Sequence, residues 1–122
     1  MKTKGELNWV FTGGDLSPQG DDLHFQVNES ITVTNINETP AHLTFDIYFE
    51  QREPVKGLTY NIGAERVFCF RLDKPICDQE YKIPFGKYSL VLHSDVPVVA
   101  VFGRLDVRQT NTVYYNVQGY SY

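Results

Sequence analysis

Apolar and polar residues alternate along most of this chain with a period of two, the side-chain period of a β-strand. Ala41–Glu50 shows it best: Leu43, Phe45, Ile47 and Phe49 face one way, and His42, Thr44, Asp46, Tyr48 and Glu50 the other. That pattern predicts a half-buried antiparallel strand. Shorter runs predict strands over Leu7–Thr12, Leu23–Val27, Ile31–Ile36, Tyr60–Ile62, Glu65–Leu72, Gly86–His93 and Val113–Val117. In Glu65–Leu72, the residues Arg66, Phe68, Phe70 and Leu72 share a face opposite Val67, Cys69 and Arg71. Gly13-Gly14 ends the first strand, and the Gly- and Pro-punctuated segment from Gly14 to Gly20 reads as a loop. Asn37–Pro40 reads as a turn, because Pro40 pushes Thr39 toward an extended conformation. Asp73–Pro84 is the longest irregular segment and a candidate crossing between sheets. No stretch keeps a helical period over three turns.

The strand that organises the rest is Ser94–Gln109. It begins as a nearly continuous apolar run, which reads as a strand buried on both faces. It then alternates, with Arg104, Asp106 and Arg108 on one face and Gly103, Leu105 and Val107 on the other. Asp106 can accept charge-assisted hydrogen bonds from either arginine, which leaves guanidinium donors for a ligand, a neighbouring subunit or water. The plain alternative is a solvated face whose ion pairs contribute ~0–1 kcal/mol each.

Together these runs predict an all-β fold of eight or nine strands with little helix: an antiparallel β-sandwich of jelly-roll type rather than a small barrel, since several strands are long and two-sided. The 122 residues form a single domain, 1–122.

The net charge of −4 argues against nucleic acid as the main partner. No apolar run follows Met1–Gly5 as a signal peptide would need, and none approaches the ~20 residues of a membrane span, so a cytoplasmic location is expected. In that compartment Cys69 and Cys77 should be free thiols, and Cys69 reads as a small core residue. His24, His42 and His93 show no metal-ligand spacing. His42 and Asp46 lie on one strand face but ~13 Å apart along it, too far to bond. The acidic turn of Asp15, Asp21 and Asp22 lacks the spaced oxygens of a calcium loop. There is no Gly-x-Ser-x-Gly elbow and no phosphate-cradling glycine loop. Neither a cofactor nor a metal is expected, and no catalytic set stands out. Trp9 is either a core anchor or a rim aromatic that stacks on a ligand or a neighbouring subunit. Arg66 should reach past the end of a core face.

Several patches fall in one order: Trp9…Gly14…Pro18…Gly20, Glu29–Asn35, Ala41-His42 with its alternating strand, Glu53-Pro54-Val55, Ala64-Glu65-Arg66…Arg71, and Ser94–Val99…Arg104–Gln109. Together they resemble the sensory rhodopsin transducer family, the soluble partners of a cyanobacterial sensory rhodopsin and their bacterial relatives. The resemblance spans nearly the whole chain, and the last patch is its most specific part. It implies a jelly-roll β-sandwich assembled as a homotetramer, and a cytosolic, non-enzymatic signalling module with a membrane-receptor partner. It also implies a small polar ligand, sugar-like or a carboxylate, bound in a cleft of the assembly. By position it points to Trp9, Glu29, His42, Arg66, Arg104, Asp106 and Arg108 as pocket or interface residues. The alternative is a structural or protein-interaction module in which the Arg/Asp row serves only oligomer assembly.

Overall fold

The computed structural model describes residues 5–18, 27–106, 113–117 and 119–122. Among these the regular structure is all strand, with no helix: β1 (Glu6–Leu16), β2 (Val27–Asn35), β3 (Ala41–Phe49), β4 (Val55–Ile62), β5 (Arg66–Arg71), β6 (Gly86–Asp106), β7 (Val113–Val117) and β8 (Tyr120–Ser121). Every pairing is antiparallel.

β6 is the axis of the fold. Its 21 residues join two segments that the alternation reads as separate strands, Gly86–His93 and the run from Ser94. The first half pairs β1 on one side and β3 on the other. The second half pairs β2 and β7. β3 leaves at Ser94 and β2 joins at Val99. Pro97 sits in this changeover, outside both ladders, where its missing N–H breaks neither of them. The carbonyls of the changeover are held from outside the strand. The Trp9 indole N–H donates to the Val98 carbonyl at 3.0 Å, and the Asn37 side-chain amide donates to that of Pro97.

From Tyr88 to Phe102 the even-numbered residues of β6 point inward: Tyr88, Leu90, Leu92, Ser94, Val98, Ala100 and Phe102 are all buried. Here the apolar run departs from the sequence reading. It is not buried on both faces, since Val99 is 44% exposed and Val101 half-buried. Only the inward face meets the core, so the β-branched residues on the other side reflect strand propensity rather than burial. The core is one cluster built from both halves. Phe45 of β3 meets Phe70 of β5 edge to face, with ring centroids 4.8 Å apart, so the inward faces of the two halves pack on each other.

β3 keeps its alternation: Leu43, Phe45 and Ile47 are buried while His42 and Tyr48 are exposed. Three other expectations change. β1 does not end at Gly13-Gly14 but continues to Leu16 through a register shift between Phe11 and Gly14. β4 begins at Val55 rather than Tyr60. Cys69 is not in the core; it lies on the exposed face of β5. The aromatic neighbours that suggested burial, Phe68 and Phe70, point the opposite way. Both thiols are free, and burial pushes that of Cys77 up to about 12. The strand expected over Leu23–Val27 lies outside the described residues apart from Val27, which opens β2. Truncating the most enclosed aromatic, Phe45→Ala, should lower the unfolding free energy in urea by about 3–5 kcal/mol.

Candidate functional site

β2 turns four residues inward, Glu29, Ile31, Val33 and Asn35, so its buried face is apolar in the middle and polar at both ends. Glu29 lies directly across the ladder from Arg104. Arg104 continues the inward, even-numbered face of β6 just past Phe102. The two side chains therefore meet at the rim of the core, with the carboxylate fully enclosed and the guanidinium 15% exposed.

An enclosed carboxylate is costly unless its oxygens are satisfied. Among the described residues, three donors reach this one. Arg104 Nη1 bonds Oε2. The Tyr88 hydroxyl donates to Oε1 at 2.8 Å. The backbone N–H of Asp15 points between both oxygens, at 3.1 and 3.2 Å. Arg104 Nη1 also donates to the Asp15 carbonyl at 2.9 Å, which ties β1 into the same cluster.

The glycine pair makes this geometry. Gly13 takes a φ of +87°, a left-handed conformation that glycine adopts without strain. It sits in the β1 irregularity, where two residues, Thr12 and Gly13, oppose Ser89 alone. The extra residue re-aims β1 so that the Asp15 N–H faces Glu29. Gly14 then lies under the Tyr88 ring: a Cβ there would come within 2.4 Å of the ring carbon Cζ. The missing side chain is the space that Tyr88 fills on its way to Glu29. Burial first, and the adjacent Glu29 charge second, hold the Tyr88 hydroxyl well above the usual phenol range.

Tyr88 and the bulge also wall an open cleft of about 520 Å³, lined further by Asp15, Tyr48, Glu50 and Lys87. A second hollow of about 490 Å³ shares Glu50 and Lys87 with it and adds Arg52 and Phe85. The cleft thus offers carboxylate acceptors, cationic donors and aromatic faces around a floor fixed by the buried cluster.

Of the residues singled out in the sequence, the structure brings Glu29 and Arg104 together. Trp9 is a core anchor, stacked parallel on Phe11 at 6.2 Å. His42 is exposed and pairs with Asp95 across β3 and β6 at 2.6 Å. The His42 backbone N–H and then its ring hold the Asp95 carboxyl below its usual range, so this contribution is present above that range and fades as pH falls through it. Arg66 is exposed and faces Asn35, at the opposite end of β2 from Glu29. Six residues of strand separate those ends, roughly 20 Å, so no single cleft holds both Arg66 and Arg104. Asp106 ends β6, and Arg108 lies outside the described residues. Among the described residues no group of His, Cys, Asp and Glu is placed to hold a metal ion. No helix there is long and apolar enough to cross a membrane.

The family model described as Anabaena sensory rhodopsin transducer matches residues 4–121. The chain belongs to that family. Its fold is shared with the crystal structure of Thermotoga maritima 1070, at 28% identity and a TM-score of 0.81, over 97% of this chain and 96% of that one. It is also similar to the solved Anabaena sensory rhodopsin transducer, at 23% identity and a TM-score of 0.68, over 84% of this chain and 91% of that one. No curated protein matches it.

Sequence reading missed Tyr88, Asp15 and Gly14 as parts of this cluster. The signal was present in two places: a glycine pair inside a strand pattern, which marks a bulge, and a glutamate in phase with Ile31 and Val33. Removing the Tyr88 hydroxyl tests the cluster. Tyr88→Phe should cost about 1.5–3 kcal/mol in urea unfolding, the range for a hydrogen bond to a charged group. A raised phenol is stabilising below the ordinary tyrosine value of about 10, and that stability is lost as pH climbs above it. The variant should therefore lose less stability than the wild type on going to strongly alkaline pH.

Proposed function

We propose that this protein is a non-enzymatic, cytoplasmic signalling module that binds a small polar ligand, sugar-like or a carboxylate, in the cleft beside Tyr88. In this reading the two halves form a jelly-roll β-sandwich, the subunits assemble as a homotetramer, and a membrane receptor of the kind named for the family is the partner. Nucleic acid is disfavoured by the acidic balance of the chain.

The observation that carries the reading is the join between cleft and buried charge. Tyr88 lines the cleft on one side and donates to Glu29 on the other. A ligand that presses on Tyr88 or the Gly13-Gly14 bulge would act on a charge pair linking β1, β2 and β6. It would shift the protein between states only as far as it binds one of them better. The assembly-only alternative is less well supported by Arg104, whose Nη1 is engaged inside the subunit by Glu29 and the Asp15 carbonyl.

A thermal-shift and calorimetric screen of neutral sugars and small carboxylates tests this. A binder should raise the melting temperature with increasing concentration, and Lys87→Ala should abolish the shift while leaving the unliganded protein folded. A screen with no binder, or binding indifferent to Lys87 and Tyr48 substitution, would contradict the cleft as the site.

A further inference from the structure

The cleft beside Tyr88 and the hollow next to it form one trench, since Phe49, Glu50 and Lys87 wall both. Its charge is uneven. Asp15 lines only the Tyr88 end, and Arg52 lines only the far end, beside the exposed ring of Phe85. Lys87 stands between them. It lies directly across the ladder from Asp15, and the pairing of Phe49 with Tyr88 brings Glu50 level with it on the other side. Among the described residues neither Lys87 nor Arg52 makes an ion pair. By contrast, Arg71 is committed to Asp73, Arg104 to Glu29, and Arg66 to the carbonyls of Ala64 and Glu65. The Tyr88 end has an aromatic platform instead. Tyr48 lies across from Ser89, and a Cβ at the neighbouring Gly13 would meet nothing within 4 Å, so the floor beside the ring is low. Lys56 of β4 sits over the Tyr48 ring at 5.6 Å from its centroid. β4 and β6 flank β3 on opposite sides, which leaves the ring face toward Ser89 for a ligand.

From this division we infer that the trench takes a single acidic sugar: its hydroxylated ring lies against Tyr48, and its anionic group, a phosphate or a carboxylate, lies between Lys87 and Arg52. A sugar ring offers C–H faces to an aromatic side chain and hydroxyls around its rim, the mixture such a site recognises. Asp15 and Glu50 accept hydrogen bonds from hydroxyls and repel an anion, so they favour the ring at the Tyr88 end. Glu50 also borders the far hollow, where two cations outweigh it. The planar fork of Arg52 matches two oxygens of a carboxylate or a phosphate. Lys87, with three donors on a flexible stem, reaches both ends. A neutral sugar would leave the cations unused, and a free anion would leave Tyr48 and Asp15 unused.

This inference rests on the cleft reading above and joins its two ligand classes in one molecule. Calorimetry at low ionic strength tests it with glucose, galactose and ribose, their terminal phosphates, glucuronate and galacturonate. Inorganic phosphate and acetate serve as anions without a ring. For at least one parent sugar the acidic form should bind about tenfold or more tightly than the neutral form, and than the free anion. The phosphates and the uronates, run as separate arms, tell which anionic group is preferred. Arg52→Ala should erase most of the acidic form's advantage, whereas Arg66→Ala, at the far end of β2, should preserve it. Added salt should shrink the advantage in the wild type, because the two cations are open to solvent; this readout decides if Arg52→Ala misfolds. Neutral sugars that bind as well as their acidic forms, or free anions that bind as well as acidic sugars, would overturn this inference and leave the cleft as a binding site. An acidic advantage indifferent to both Arg52→Ala and salt would do the same. A panel in which nothing binds would overturn the cleft reading as well.

Discussion

A carboxylate with no access to water lies at the inner end of β2, and the elements around it are placed to satisfy it. Desolvating such a group costs several kcal/mol, and that cost falls on any state in which a donor is missing. The donors for Glu29 come from a distant guanidinium, a phenol and a backbone N–H, on β6 and β1. Folding must bring all of them into register at once. The Gly13-Gly14 bulge, the bare Gly14 surface under Tyr88 and the inward phase of Arg104 follow from that one demand.

β6 makes the demand reachable. A strand that changes partners midway carries Tyr88 in one half and Arg104 in the other, on the same face. Trp9 and Asn37 hold the changeover from outside, through the carbonyls of Val98 and Pro97. The cluster thus couples the two halves of the sheet electrostatically, while Phe45 on Phe70 couples them by packing. The cleft inherits this stiffness, because one of its walls is also a ligand of the buried charge.

Much of this was legible in the alternation. Leu43, Phe45 and Ile47 gave β3 and its inward face, and the count of polar-punctuated runs gave an all-β chain. Two physical effects hid the rest. The valine-rich run Val98–Val101 reads as doubly buried because strand propensity and burial favour the same residues, yet Val99 is open to solvent. The partner switch falls on Ser94, Asp95 and Pro97, polar and proline residues that mimic a break between strands, so Gly86–His93 and the following run read as two elements although β6 is continuous. The Arg104–Asp106–Arg108 row was read along its own strand, whereas Arg104 finds its partner across the ladder, on β2. Pairing between strands is non-local, and a period of two cannot announce it. The family resemblance carried over Glu29 and Arg104 by position, but it could not show that they touch or that Arg66 lies at the far end of β2.

A double-mutant cycle on Glu29→Gln and Arg104→Met, measured by urea unfolding, probes the buried charge most directly. Each single change should cost about 3–5 kcal/mol, because it strands one member of the pair. The double variant should cost no more than the worse single one, giving a large coupling energy. Small, additive losses below about 1 kcal/mol each, the behaviour of an exposed ion pair, would contradict the account.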